Sequence, residues 1–260
     1  MGSSKKNQTC YMCSNPATSK EHVPPACLFP EEKDIKTSIF RNNLITVPSC
    51  DLHNSKKSKD DEFLMGCLAG IVGNNVIGFF HNMTKVRRAL ERKGNDYIHT
   101  LMKDPQTKTM QNEKGHVFPG LVGRPDLERL RSCFEHISCG LFFHKFRKIF
   151  TGTCHIIMDF ITYENPEAEK YKLLCRKRFE MEPNKPKTEG SNPEIFSYEF
   201  IEPDEFGLIA MRLTFYEGAN VFIAFQGEDS KEPKNLITEL ISSGVKTIVN
   251  FKDGSEFEFN

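Results

Sequence analysis

The sequence has no excess of charge of either sign, because its 260 residues include 35 Lys and Arg and 35 Asp and Glu. This balance argues against a simple polycation that coats nucleic acid. It also lacks a long uninterrupted apolar run. The longest apolar stretch, residues 63–80, contains four glycines and an Asn-Asn pair. We therefore expect a buried helix that breaks near Gly73 to Asn75, and no membrane span.

A secretory leader and an even complement of cysteines are also missing. The N-terminal residues do not combine a basic region with an apolar run and a cleavage site, and the nine cysteines are an odd number. Lys6 stands where a myristoylation signal has Ser or Thr. These absences predict a protein of the reducing cytoplasm, without a lipid anchor and with a fold that disulfides do not hold together.

The balanced total hides an uneven distribution of charge. Residues 81–150 contain 14 Lys and Arg against 7 Asp and Glu, whereas residues 151–260 contain 12 against 20. The basic middle segment could line a polyanion while the acidic end faces elsewhere. For the acidic part, an ordinary solvated face is an equally good interpretation.

Hydrophobic periodicity predicts an α+β chain. Residues 1–64 are rich in turn formers and poor in periodicity, so they need a staple to fold. Helical patterns begin near Asp60 and recur in "MTKVRRALERKG" and in residues 124–150, and residues 104–125 suggest a loop or an irregular hairpin. Four β-rich segments then predict an antiparallel sheet of about four strands: "CHIIMDFITY", "EIFSYEFIE", "LIAMRLTFY" and "NVFIAFQG".

Two close-spaced pairs of metal-type ligands lie in the turn-rich N-terminal segment. Cys10 and Cys13 form a C-x2-C pair, and Cys50 and His53 form a C-x2-H pair. Zinc favours four tetrahedral nitrogen or sulfur ligands, so together the pairs predict a structural Zn²⁺ site. Two alternatives stay open: His53 is a surface residue beside buried thiols, or Cys27 is the fourth ligand. The remaining histidines and cysteines lack close ligand partners, and we expect them on the surface or in the core.

The sequence "EHVPP" lies between these two pairs. Val23 precedes a proline and is therefore biased toward extended backbone, which stiffens the chain at the neighbouring His22. Histidine titrates near neutral pH, which suits a general base. An Asn and a run of lysines follow His53: Lys56, Lys57 and Lys59 precede or begin the next helix, within reach of a polyanion backbone, although a solvated charge run is the plainer interpretation.

In combination, these elements resemble the H-N-H family of nucleases, also called the His-Me finger. The zinc-bearing branch of that family runs C-x2-C, an acidic residue with His and Pro, Asn-Leu, and C-x2-C-Asn with a Lys three residues on. Here the elements are "CYMC", "EHVPP", "NNL" and "CDLHNSKK", in order within residues 10–57. Two departures are His53, where Cys is usual, and Glu21, where Asp is frequent.

The resemblance implies a small ββα-metal finger with His22 as general base. It implies that Asn43 holds the hairpin and His22 in place, that Asn54 with Glu21 binds a catalytic Mg²⁺ or Mn²⁺, and that the structural zinc set is Cys10, Cys13, Cys50 and His53. The expected function is hydrolysis of DNA phosphodiester bonds, with RNA not excluded, in a bacterial or phage defence effector. The alternative is a non-catalytic zinc module that binds nucleic acid or protein.

The predicted organisation has three parts. Residues 1–64 form the nuclease module with its zinc knuckle, residues 65–115 form a helical connector, and residues 116–260 form an α+β domain that contains the antiparallel sheet. The acidic balance of this last domain favours a role as sensor, oligomerisation element or binding site for a regulatory partner over contact with DNA.

Overall fold

The computed structural model describes residues 8–36, 39–54, 58–111, 115, 117–204, 207–230, 247–250, 254 and 256–259. It is a mixed α+β structure in which the paired strands are antiparallel, so the predicted class is confirmed. The chain divides into two compact units. The first comprises Met1–Val72 and Val76–Phe146, and the second comprises Gly73–Asn75 and Arg147–Asn260.

The first unit begins with a two-stranded ribbon, β1 (Ser19–His22) and β2 (Thr46–Ser49), in which Ser19 lies opposite Ser49 and His22 opposite Thr46. Successive side chains of a strand point to opposite faces. One face of this ribbon is buried at Glu21 and Val47, whereas the other is exposed at His22 and Thr46. A single 3-10 turn, Ala26–Leu28, follows β1.

Helices follow the ribbon in close succession. They are α1 (Asp51–Asn54), α2 (Ser58–Ala69), α3 (Val76–His81), a π-helical turn (Asn82–Val86), α4 (Arg87–Lys93) and α5 (Asn95–Leu101). The predicted break near Gly73 to Asn75 is confirmed, because it lies between α2 and α3. Gly94 ends α4 with a φ of 60°, a left-handed conformation that glycine adopts without steric cost.

Two long strands, β3 (Met102–Gln111) and β4 (Val117–Pro125), pair antiparallel and lead into α6 (Leu127–Phe146). Helix α6 belongs to the first unit, where it packs on α2 and β2. The sequence-based division instead placed these residues in a C-terminal domain from residue 116. The physical reason for the difference is the apolar side of α6, which is buried at Leu130, Phe134 and Ile137.

The second unit is a five-stranded antiparallel sheet with one helix. Its elements are β5 (Gly152–Met158), α7 (Pro166–Glu180), β6 (Glu189–Asn192), β7 (Phe196–Ile201), β8 (Ile209–Phe215) and β9 (Ala219–Gly227), in the strand order β5-β9-β8-β7-β6. Helix α7 packs Phe179 against Ile157, Ile201 and Phe222. The four predicted strands are present, and the short strand β6 joins them at the edge.

A further antiparallel pair, β10 (Thr247–Asn250) and β11 (Glu256–Phe259), lies near the C-terminus. None of the nine cysteines, all of which lie in the described residues, forms a disulfide. Within the described ranges of the chain, none of the helices has the length and apolar character needed to cross a bilayer.

Candidate metal centre

The structure brings Cys10, Cys13, Cys50 and His53 together. Their ligand atoms all lie within 4.8 Å of one another. His53 Nδ1 is 3.5 Å from Cys10 Sγ, 3.6 Å from Cys13 Sγ and 3.3 Å from Cys50 Sγ, and the Sγ atoms of Cys13 and Cys50 are 3.8 Å apart. Both ligand pairs predicted from the sequence therefore meet in one group, through the Nδ1 atom of the histidine.

These separations fit a tetrahedral zinc site. With Zn–S bonds of about 2.3 Å and Zn–N bonds of about 2.0 Å, tetrahedral ligand atoms lie about 3.8 Å apart for two sulfurs and about 3.6 Å apart for sulfur and nitrogen. The observed sulfur–sulfur distance of 3.8 Å and the sulfur–nitrogen distances of 3.3–3.6 Å are close to those values. The group could thus hold a metal ion such as zinc.

Backbone hydrogen bonds place the first ligand pair. Cys10 N donates to Asn15 O at 2.9 Å, which closes the turn, and Met12 N lies 3.5 Å from Cys10 Sγ as a donor to the sulfur. Tyr11 N donates to Pro48 O at 2.8 Å. The turn that carries Cys10 and Cys13 is therefore bonded directly to β2, two residues before Cys50.

The second ligand pair lies where β2 passes into α1. The backbone N–H groups of His53 and Asn54 both donate to Cys50 O, so one helical turn brings Cys50 and His53 to the same side. Burial alone would raise the pKa of the Cys50 thiol, but hydrogen bonds from His53, Cys10 and Cys13 outweigh it and lower that pKa to about 6. At least one thiol of the group is therefore ready to lose its proton to a metal near neutral pH.

Cys27, the rival fourth ligand, lies outside this group. Its Sγ donates to Asp61 O at 3.3 Å, and burial, with a smaller effect of the Asp61 charge, raises the pKa of its thiol to about 12. A thiol that stays protonated at neutral pH is a poor zinc ligand. Cys27 is a half-buried residue of the first unit.

Glu21 and His22 point to opposite faces of β1. His22, the last residue of the strand, is exposed. Glu21 is only 8% exposed, and its Oε1 accepts a hydrogen bond from Tyr11 Oη at 3.3 Å. Burial, followed by the Glu21 charge, raises the pKa of Tyr11 far above its usual range. The candidate base therefore faces solvent, and the candidate metal ligand lies in a buried contact.

Asn54 lies directly after the last cluster ligand and contacts β1. Its Nδ2 donates to Ser19 Oγ at 2.7 Å. Ser19 and Glu21 are two residues apart on a strand, so they share a face. Asn54 is thus placed against the face of β1 that carries Glu21, and its amide oxygen takes no part in the Ser19 contact.

Asn43 lies in the turn that leads toward β2. It is exposed and has a φ of 55°, a left-handed conformation that Asn tolerates better than most residues. This backbone shape suits a residue that shapes the ribbon. Its predicted effect on His22 stays a prediction.

Of the three predicted phosphate-binding lysines, Lys56 and Lys57 lie outside the described residues. Lys59 is exposed in the first turn of α2, and its backbone oxygen accepts a hydrogen bond from Arg129 Nη2 at 2.9 Å. The Arg129 Nε atom also lies 2.7 Å from Asp60 Oδ1. Helix α6 therefore fixes the start of α2, which follows the candidate site in sequence.

His136 is a neighbour of the metal centre that the sequence did not reveal. Its ring centroid lies 6.2 Å from that of His53, and its Nδ1 is 2.7 Å from Ser132 O. The two residues are far apart in sequence, and no short spacing pattern joins them. Only the docking of α6 brings His136 close to the ligand histidine.

The described centre combines a soft-ligand group suited to zinc with an exposed imidazole and two oxygen-bearing side chains on neighbouring elements. The soft-ligand group of this set could hold a metal ion such as zinc. Comparisons with protein-family models, with curated protein sequences and with solved structures find no match to this chain.

Proposed function

We propose that this protein is a metal-dependent endonuclease of the H-N-H type that hydrolyses phosphodiester bonds of DNA. The observation that carries the proposal is the clustering of Cys10, Cys13, Cys50 and His53. This group ties the turn before β1 to the end of β2 and to α1. It thereby brings the strand that ends at exposed His22 next to the helix that ends at Asn54.

In this proposal His22 is the general base. Its exposure at the end of β1 leaves the imidazole accessible to water and to a phosphate group. The ring accepts a proton from water, the water oxygen bonds to phosphorus, and the bond from phosphorus to the departing sugar oxygen breaks. The backbone beside it is restrained, because Val23 N donates to Ile45 O at 2.9 Å.

The residues that would hold the catalytic ion are Asn54 and Glu21. Both offer hard oxygen atoms, and Asn54 contacts the face of β1 that carries Glu21, which is the face opposite that of His22. When bound, Mg²⁺ or Mn²⁺ supplies positive charge that stabilises the phosphate and the leaving oxygen. Asn54 directly follows the ligand His53, so the zinc group also fixes the position of Asn54.

The remaining parts of the proposal concern partners and setting. Lys56, Lys57 and Lys59 would contact the phosphate backbone, which adds affinity without sequence preference. The second unit would act as a regulatory or oligomerising element. A bacterial or phage defence effector in the cytoplasm is the proposed setting, and RNA is retained as a second substrate to test.

The test is cleavage of supercoiled plasmid DNA, and of a matched RNA, with Mg²⁺ or Mn²⁺ and with EDTA as the metal-free control. We expect metal-dependent nicking or linearisation that His22→Ala abolishes. His99→Ala is the matched control, because His99 is an exposed histidine on α5, away from these residues in sequence. Equal cleavage by His22→Ala and the parent protein would refute the role of His22.

The second candidate is a non-catalytic zinc module that binds nucleic acid or protein. The burial of Glu21 against Tyr11, on the opposite face of β1 from His22, favours this candidate because a structural carboxylate needs no catalytic ion. Its expected signature is retained zinc and retained binding with no cleavage under any of these conditions. A His22→Ala protein that binds its partner as tightly as the parent would agree with both candidates, so cleavage decides between them.

A further inference from the structure

The strands β3 and β4 form a long ribbon, here called the β3–β4 arm. Neither the ten residues of β3 nor the nine of β4 include a buried side chain. An isolated two-stranded ribbon is at best marginally stable in water. At about 3.3 Å per residue the arm is roughly 30 Å long, which is close to one turn of a DNA duplex.

All the described cations of the arm's two strands lie on one face. The pairing places Lys103 opposite Arg124 and Lys108 opposite Gly120, and the single bulge between Lys103 and Gln106 keeps these residues on the same side. Met110 shares that face and covers Gly120, where an added Cβ would lie 2.1 Å from the Met110 sulfur. This side is called the basic face.

The opposite side of the arm carries no charge beyond the bulge. Its exposed residues include Thr107, Thr109 and Gln111 on β3 and Val117 and Leu121 on β4. This side is called the uncharged face. The basic face and the uncharged face lie on opposite sides of the arm, so substitutions on one face serve as a control for substitutions on the other.

The basic face has the charge pattern of a polyanion site. Lys103 and Arg124 are directly opposite each other, an arrangement of like charges that destabilises a strand pair. Asp104, in the bulge, pairs with Arg124 and offsets part of this repulsion. Lys108 lies four ladder steps beyond Lys103, roughly 14 Å along the ribbon, so the cations are spread over a distance that spans several base pairs of DNA.

Both ends of the arm are fixed to α2, the helix that carries the proposed phosphate-binding residue Lys59. Leu101, the residue before β3, packs against Gly66, where an added Cβ would meet its Cδ2 at 2.5 Å. Beyond β4, Arg129 bonds Asp60 and the backbone of Lys59. A ligand that runs from the candidate site past Lys59 would therefore meet the base of the arm.

We propose that the β3–β4 arm binds duplex DNA through its basic face, with Lys103, Lys108 and Arg124 on the phosphate backbone beside the candidate site. The inference rests on the proposed action on DNA. Duplex DNA is favoured over duplex RNA because the B-form major groove admits a two-stranded ribbon, whereas the major groove of A-form RNA is too deep and narrow to be entered.

The experiment measures binding in the His22→Ala background, so that no substrate is cleaved. The probe is a labelled 30-base-pair DNA duplex, followed by fluorescence anisotropy from 50 to 200 mM salt. Lys103→Ala with Lys108→Ala removes two exposed cations. Each phosphate contact contributes about 0.9 to the slope of log affinity against log salt, so we expect the slope to fall by about 1.8 and the affinity to fall about 60-fold at 0.1 M salt.

Two variants serve as matched controls, and each is expected to bind as the parent does. Thr107→Ala with Gln111→Ala changes the uncharged face of the same arm. Lys185→Ala with Lys187→Ala removes two exposed lysines from the second unit. An unchanged salt slope in the Lys103/Lys108 variant, or an equal loss in either control, would overturn the proposal.

Further measurements separate binding of duplex DNA from binding of RNA and from self-association. An unlabelled RNA duplex that competes as strongly as DNA would overturn the duplex-DNA assignment. A change in the molar mass of the Lys103/Lys108 variant, measured by light scattering, would also overturn it and would assign the β3–β4 arm to self-association. If the active chain cuts no DNA but the arm variant binds less DNA, the proposed cleavage fails and the arm proposal stands. If cleavage occurs and arm variants bind normally, the arm proposal alone fails.

Discussion

Gly140 on α6 gives the sharpest test of how the helix supports the candidate site. A Cβ added there would lie 2.7 Å from Val23 Cγ2 and 3.0 Å from Val23 Cγ1, whereas ordinary contacts are 3.4–4 Å. Val23 is 2% exposed, and its N–H donates to Ile45 O. It therefore has little room to retreat, and Gly140→Ala must push apart α6 and the residue that follows His22.

Two opposing effects set the size of the change. Overpacking a close-packed core costs about 1–3 kcal/mol, whereas Gly→Ala within a helix contributes about 1 kcal/mol in favour of the folded state. Gly140→Ala alone should thus lower the free energy of unfolding by up to about 2 kcal/mol. In a Val23→Ala background both methyl groups are gone, and the same change should raise the free energy of unfolding by about 1 kcal/mol.

The assay is urea unfolding of the parent, both single variants and the double variant. We expect a coupling free energy of about 1–3 kcal/mol between Gly140 and Val23, with the double variant more stable than the sum of the single changes predicts. Gly73→Ala is the control, since an added Cβ there meets nothing within 4 Å. A coupling below about 0.5 kcal/mol would refute the packing of α6 on Val23.

The same variant also bears on the proposed activity. A shift of about 1 Å at Val23 moves the adjacent His22, and a misplacement of that size can reduce catalysis about 100-fold. We expect Gly140→Ala to cut DNA more slowly at saturating substrate while it retains its zinc. A simultaneous loss of zinc would indicate instead that the whole first unit is disturbed.

Three further changes probe separate parts of the first unit. Cys13→Ser removes one of the four ligands, so bound zinc measured by mass spectrometry should fall to near background and the melting temperature should drop; Ser14→Ala should change neither. Burial, with a smaller effect of the Lys85 charge, lowers the pKa of His81 to about 4, below the unfolded value near 6.5. The unfolded state therefore binds the proton more readily than the folded state does. The free energy of unfolding should fall by at most about 3 kcal/mol as the pH drops from 6.5 to 4. Urea titrations at each pH should show that the free energy of unfolding depends less on pH in His81→Gln than in the parent protein. A variant of an exposed histidine should show the same pH dependence as the parent. Arg129→Ala removes the hydrogen bonds to Asp60 and to the α2 backbone, and it removes the guanidinium that lies 4.2 Å over the Phe63 ring. Calorimetry should show that the free energy of unfolding falls by about 2–3 kcal/mol.

Local patterns correctly predicted the helices α2, α4 and α6 and four strands of the five-stranded sheet. The glycines and the Asn-Asn pair located the break between α2 and α3, and the alternation in the four β-rich segments located β5, β7, β8 and β9. The ligand spacing of the two Cys and Cys/His pairs predicted a group that meets in space. These successes share a cause, since each depends on residues close together in sequence, where turn chemistry and side-chain period act directly.

Contacts between distant residues could not be predicted in the same way. Nothing in the spacing of "EHVPP" indicated that Glu21 lies in a buried contact with Tyr11 while its neighbour His22 faces solvent. Likewise, the short strand β6 has only four residues, including a glycine, and too little apolar alternation to be recognised. It forms because β7 offers an edge with which it can pair.

Helix α6 shows why a module boundary drawn at residue 64 separates parts that fold together. The helix places Gly140 against Val23, Arg129 against the start of α2, and His136 beside the ligand His53. Each of these contacts acts on a different element of the candidate site. The group of Cys and His ligands can fix its four members to one another, but the strand end beyond His22 and the helix that follows Asn54 lie outside it. Helix α6 contributes to the positions of both elements, so the candidate site depends on the first unit beyond its N-terminal segment.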